Sequence, residues 1–225
     1  MFATEVNRIA VGVLLLVSSV AAFAGEVSQA RINKWEPAIQ EFERQDAEAA
    51  FAPNGIVFVG SSSVRRWDLQ KWFPGLPVLN RGFGGSRISD VNHFLDRVVL
   101  KYKPKTIVLY AGDNDIAGGR SAKRVVEDFR EFCVGVYKEL PEAKILFVAI
   151  KPCPKRWHLA DVLKEANAEI AKLCQSNDRL IYVDVWTPML TSRGEPRPEL
   201  FAKDNLHLNA AGYELWAKLL LPHVK

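Results

Sequence analysis

Pro53-Asn54-Gly55-Ile56-Val57-Phe58-Val59-Gly60-Ser61-Ser62-Ser63 is the stretch on which the fold turns. Pro-Asn-Gly breaks the chain, because each of these residues favours turn geometry. Ile56–Val59 is apolar, mostly β-branched and too short for a helix, so it reads as a strand running straight into a serine cluster. Outward from it lie further short apolar runs at 77–80, 106–110, 145–150 and 180–185. Helical patterns fall at 87–101, 121–139, 159–176 and 209–221, and 63–73 carries a shorter helix or an irregular turn. Ahead of the first strand, 28–50 reads as an amphipathic helix, with Ile32, Trp35, Ile39 and Phe42 at helical spacing. Strands alternating with helices imply a parallel sheet covered on both faces, and near-continuous apolar strands agree with burial on both sides. The expected fold is α/β, a three-layer α/β/α sandwich.

The bulk numbers suit one such domain. The chain has 225 residues, 48% hydrophobic and 25% charged, with a formal charge of +4. Its basic residues are scattered, without the aromatic-interleaved stripe of a nucleic-acid surface, so no nucleic-acid partner is expected. At the N-terminus, Arg8 precedes an apolar run from Ile9 to Val20, and Ala22-Phe23-Ala24 offers the small residues of a signal-peptidase site. Residues 1–24 are therefore expected to be a leader and 25–225 the folded domain, exported to a periplasmic or extracellular space. The apolar run is short for a membrane span of about 20 residues; an uncleaved anchor is the alternative, and no stable membrane insertion is expected once the leader is gone. An exported protein meets oxidising conditions. Of the three cysteines, Cys133 and Cys174 lie at similar depth in successive helices and form the candidate bridge; three buried free thiols are the alternative.

Ligands of open parallel sheets bind beyond the carboxyl ends of the strands. Four polar segments follow strands here: Gly60-Ser61-Ser62, then Asn80-Arg81-Gly82-Phe83-Gly84-Gly85-Ser86, then Gly112-Asp113-Asn114-Asp115, and the long loop ending in Asp204-Asn205-Leu206-His207. Together they hold what acyl transfer needs. Ser62 is the candidate nucleophile, His207 its base and Asp204 the group that holds the imidazole tautomer. The backbone N–H groups of Ser62 and Gly85 and the side-chain amide of Asn114 are candidate oxyanion donors. Each segment has a plainer reading alone: a helix cap, a tight turn, a structural histidine. Their placement on one sheet edge favours the chemistry.

These blocks resemble the SGNH hydrolase superfamily, the GDSL-type esterases and lipases, whose four named residues fall on Ser62, Gly85, Asn114 and His207 in the family's order. One departure is visible: the usual Gly-Asp-Ser-Leu reads Gly60-Ser61-Ser62-Ser63. The register favours Ser62 over its two serine neighbours. The resemblance implies a flavodoxin-like sheet of order 2-1-3-4-5, no metal and no organic cofactor, and a serine esterase acting on ester-linked, short acyl groups. The chain looks similar to the small bacterial esterases related to platelet-activating-factor acetylhydrolase. The residues themselves agree on the metal, since no His/Cys cluster has metal-ligand spacing.

Two other readings remain at this stage. An exported O-acyltransferase acting on carbohydrate would use the same residues with a different acceptor. A non-enzymatic flavodoxin-like protein would cradle a phosphate or flavin on the serine loop, leaving Asp204 and His207 idle. For substrate recognition, Arg65 and Trp67 follow the nucleophile, and Arg156 and Trp157 follow the fourth strand. Aromatic faces with cations suit a small-molecule or carbohydrate ester, and surface-packed Trp with snorkelling Arg is the alternative.

Overall fold

The computed structural model describes residues 27–49, 51 and 53–225; the expected leader lies outside them. Helix α1 (Gln29–Glu48) buries Trp35 and Ile39 on its apolar stripe. The first strand, β1 (Ile56–Gly60), is buried along its whole length. Two short helices follow, α2 (Ser62–Arg65) and α3 (Leu69–Trp72), then β2 (Val78–Gly82). The expected helix at 87–101 is broken at Phe94 into α4 (Ile88–His93) and α5 (Leu95–Val98), ending in a 3-10 turn over Leu100–Tyr102. Beyond β3 (Thr106–Tyr110) comes a short helix outside the expected helical patterns, α6 (Asp113–Ala117). The rest is regular: α7 (Ala122–Glu139), β4 (Lys144–Val148), α8 (Ala160–Cys174), β5 (Leu180–Val183) and α9 (Ala210–Val224).

The five strands are parallel in the order β2-β1-β3-β4-β5, as the resemblance implied. Parallel crossovers are right-handed. The chain steps outward from β1 to β2 and then back over β1 to β3, so those two connections must cover opposite faces. Helix contacts follow this division: α1 meets α5, and α4, α5 and α8 meet α7, whereas α3 meets α9. Direction reverses between β1 and β3, and the crevice at that reversal is where such sheets take ligands.

The α9 face is closed by aromatic rings. Trp67 stacks on Tyr213 at 5.5 Å between centroids and meets Phe58, Phe73 and Trp216 edge-on. At 2% exposure Trp67 belongs to this core, which corrects its reading as a substrate contact: the chain turns inward after α2, where a large ring gains more by burial than at the rim. The candidate Cys133–Cys174 bridge is absent, and the alternative holds. Cys133, Cys153 and Cys174 are free, buried thiols. Burial, with Cys174 nearby, pushes the Cys133 thiol up to about 12, and burial pushes Cys174 up to about 11. Among the described residues no helix is long and apolar enough to cross a membrane.

Candidate active site

Three strands end on one rung. Gly60 is the register partner of Gly82 on β2 and of Tyr110 on β3. The residues just past that rung therefore meet at one edge: Ser62 beyond β1, Gly85 beyond β2, Asn114 beyond β3. The rung itself needs glycine. At Gly60 φ is +132°, and a Cβ there would come within 1.9 Å of the Tyr110 carbonyl oxygen. The Ser61 N–H donates to that carbonyl at 3.0 Å and the Phe83 N–H to the Gly60 carbonyl at 2.9 Å. Ser61 then precedes a helical turn whose first residue is Ser62, its own side chain making no capping bond, and first-turn N–H groups have no intrahelical acceptor.

The turn that carries Ser62 is tied from below. The Asn80 amide donates to the carbonyls of Val64 and Trp67 at 2.7 and 3.1 Å. Tyr213 Oη donates to the Ser63 carbonyl at 2.9 Å. Across the sheet edge stands the Asp204–His207 loop, which β-type contacts and side-chain bonds make compact. Phe201 bridges Leu208 in antiparallel fashion. Asn205 adopts φ +56°, a conformation Asn tolerates better than most residues. Asp204 Oδ1 accepts the N–H groups of Leu206 and His207 at 3.0 and 2.9 Å.

This loop aims the imidazole. His207 Nδ1 donates to Asp204 Oδ2 at 2.5 Å, and Nε2 lies 3.0 Å from Ser62 Oγ, 145 residues away in the chain. With its Nδ1 proton held by the carboxylate, the ring turns its Nε2 lone pair to the serine hydroxyl. Hydrogen bonding from the His207 side chain, then from backbone N–H groups, holds the Asp204 carboxyl well below the usual carboxylate range. The other half of the edge is Gly85, at φ +80°, and Asn114, whose Nδ2 donates to the Ser86 carbonyl at 3.1 Å.

The remaining expected contacts separate. Arg65 is exposed and its guanidinium lies over the glycine loop, so that a Cβ at Gly84 would meet Arg65 Cζ at 2.7 Å. Trp157 is half-buried and stacks on Trp186 with centroids 5.9 Å apart. Arg156 is turned to protein partners, pairing with Asp113 Oδ2 through NH1 at 2.9 Å and donating through NH2 to Asn114 Oδ1 at 2.9 Å. The expected substrate contact is thus engaged with Asp113 and Asn114 at the same edge. The sequence pattern gave no role to two residues here, Lys151 and Asp113. Lys151 is fully buried, donating to Tyr110 Oη at 2.9 Å, Asp113 Oδ2 at 3.1 Å and Ser63 Oγ at 3.4 Å. Asp113 is buried too; burial pushes its carboxyl up, but Lys151 and then Arg156 outweigh it and the net direction is down. A lysine directly after a buried apolar strand was the one available signal. Among the described residues no group of three or more His, Cys, Asp or Glu is placed to hold a metal ion.

Comparison with known proteins follows the same outline. The sequence matches the profile of the GDSL-like Lipase/Acylhydrolase family over residues 52–215. Solved structures with the same fold include a Streptococcus pneumonia protein described as a candidate platelet activating factor, 22% identical with a TM-score of 0.77, covering 87% of this chain and 95% of that one. A GDSL-like lipase from Bacteroides thetaiotaomicron is 18% identical with a TM-score of 0.72, covering 83% of this chain and 96% of its own. An acetyl-xylooligosaccharide esterase from Geobacillus Stearmophilus is 13% identical with a TM-score of 0.61, covering 78% and 96%. No curated protein matches the sequence.

Proposed function

The chain belongs to the GDSL-like lipase/acylhydrolase family and is a carboxylic ester hydrolase, and on that footing we propose that Ser62, His207 and Asp204 cleave short acyl esters through a covalent acyl-enzyme. The observation that carries this reading is the line Ser62 Oγ–His207 Nε2–His207 Nδ1–Asp204 Oδ2. Ser62 Oγ attacks the ester carbonyl as its proton passes to His207 Nε2. The carbonyl oxygen becomes an oxyanion, met by the N–H groups of Ser62 and Gly85 and by Asn114 Nδ2. As the tetrahedral intermediate collapses, His207 returns the proton to the departing alkoxide and the alcohol leaves. Water, deprotonated by the same nitrogen, then attacks the acyl-enzyme, the Ser62 Oγ–acyl bond breaks, and His207 returns the proton to Ser62 Oγ as the carboxylic acid leaves. Asp204 keeps its charge throughout and steadies the imidazolium. The serine-loop phosphate cradle considered from sequence would leave this alignment without a purpose.

Short acyl chains and a polar alcohol are supported by the rim, where Arg65, Arg66 and Lys203 are exposed. The Trp157–Trp186 pair adds an aromatic face beside the base loop, to which the Lys155 N–H is tied through the Asn205 carbonyl at 3.1 Å. Such a rim suits a small polar or carbohydrate ester better than a long acyl chain. Export to a periplasmic or extracellular space is proposed on Arg8, the Ile9–Val20 run and Ala22-Phe23-Ala24.

Labelling with a fluorophosphonate and peptide mapping tests the chemistry. Modification is expected at Ser62 and nowhere in Ser62→Ala, while Asp204→Asn should lower kcat by about 10³–10⁴, as expected when the tautomer is lost. In a p-nitrophenyl ester series, kcat/KM should be highest for acetyl and fall as the chain lengthens. Labelling at Ser61 or Ser63 would overturn the assignment, and acylated sugar as the main product of an assay with a sugar acceptor would replace hydrolysis by transfer.

A further inference from the structure

An asparagine amide is ambiguous as an oxyanion donor. Its oxygen and nitrogen have nearly the same shape, and only the nitrogen can donate. Turned the wrong way, Asn114 would present a lone pair to the developing negative charge. Arg156 and the Ser86 carbonyl remove the ambiguity from opposite sides, a pure donor facing the oxygen and a pure acceptor facing the nitrogen. A guanidinium has donors and no acceptor, so the group that meets its NH2 at 2.9 Å must be Asn114 Oδ1. Nδ2 then spends one hydrogen on the Ser86 carbonyl at 3.1 Å and keeps the second.

Arg156 is itself held. One end hydrogen-bonds Asn114, and the other lies in ion-pair contact with Asp113, Nη1 standing 2.9 Å from Oδ2 without hydrogen-bond alignment. That oxygen also takes Lys151 Nζ at 3.1 Å, and the lysine is anchored to Tyr110 Oη on β3. Lys151 and Asp113 are both nearly inaccessible, with side chains 1% and 5% exposed. Buried charge pairs are seldom worth more to stability than apolar side chains of the same size, because desolvation offsets their attraction. What the cluster touches is more telling. Its polar exits lead to Asn114 on one side and, through Lys151 Nζ and Ser63 Oγ at 3.4 Å, to the residue following Ser62 on the other. Two cations against one carboxylate also leave a positive excess beneath the place where the oxyanion would form.

We propose that Arg156, braced by the buried Asp113–Lys151 pair, is a positioning residue that sets the Asn114 amide with its N–H toward the oxyanion; this rests on the reading of Ser62 and Asn114 given above. Arg156 acts on the reaction through Asn114, and its loss therefore matters in the transition state and not in substrate binding.

A double-mutant cycle with steady-state kinetics tests this. Arg156→Met is expected to lower kcat about 10- to 100-fold, less than the roughly 10²–10³ for a whole oxyanion donor, with KM within about twofold. Asn114→Ala should lose the full amount, and Asn114→Ala/Arg156→Met should be no slower than Asn114→Ala alone, because one group acts through the other. Arg156→Lys keeps a charge beside Asp113 but not the planar fork, and should melt with wild type and still lose kcat several-fold. Losses that multiply in the double variant would overturn the proposal, as would wild-type kcat in both Arg156 variants. Those outcomes are separable from failure of the parent reading, which would appear as full activity in Ser62→Ala or Asn114→Ala.

Discussion

Asp115 illustrates how one residue can carry a cost for its surroundings. It is buried in α6, with Oδ1 taking the Ile88 N–H at 3.2 Å and Oδ2 without a hydrogen-bond partner. Burial first, and the neighbouring Asp128 second, push its carboxyl up to about 7 from an ordinary 3.8, against the pull of Arg120. Between those two values the folded chain keeps a proton that the unfolded chain releases, so stability falls as pH rises through that window. Asp115→Asn keeps an acceptor for Ile88 and removes the charge. The margin by which its melting temperature exceeds that of wild type should grow from about pH 4 to about pH 7 and level off above, and a gap that does not widen over that range would refute the account. Single residues differ in how far they can be read from sequence. Ser62 and His207 stand out in the sequence as candidates because the proposed chemistry needs particular side-chain types beyond the strand ends. Arg156 and Trp67 are not, because only the packed chain decides that the guanidinium turns to Asp113 and that the indole turns to Tyr213.

Among the elements, the segment from 186 to 206 departs most from its first appearance as a long loop. It is pinned by short 3-10 turns at Thr187–Met189 and Pro198–Leu200 and by paired bridges at Leu190–Pro196 and Phe201–Leu208. Asn209 links that segment to α9. Its Oδ1 accepts the Gly212 N–H at the helix start, and its Nδ2 donates to the carbonyls of Glu199 and Phe201 at 2.8 and 3.0 Å. Removing a cap of this kind costs about 1 kcal/mol. Asn209→Ala should therefore lower the melting temperature modestly and lower kcat by more than that loss alone implies, since the His207 loop is freed; unchanged kcat would mean the loop holds its shape without it. Strands and long helices were legible within a few residues, as at Ala122–Glu139, because a continuous apolar period marks them. The break at Phe94 and the one-turn α6 were not, since short helices are set by tertiary contacts more than by propensity.

At the scale of the whole molecule, three buried thiols sit in a chain expected to be exported. Denatured protein in the absence of reductant should show three reactive thiols and native protein far fewer, all three being buried; a count of one in the denatured state would restore the Cys133–Cys174 bridge. The parallel sheet, its helical layers and the edge where the chemistry gathers follow from local signals: apolar runs of strand length, glycine and serine at their ends, and a histidine three residues after an aspartate. Periodicity and turn chemistry act over a few residues, and the linear chain records them. The sequence by itself thus determined the layered architecture and the set of candidate groups for the proposed chemistry. The tertiary structure alone decided the 3.0 Å approach of His207 to Ser62, the burial of Trp67 and the Lys151–Asp113–Arg156 brace behind Asn114. Those depend on which faces meet across the sheet and on how buried charges find partners, and both are settled by three-dimensional packing between residues far apart in the chain.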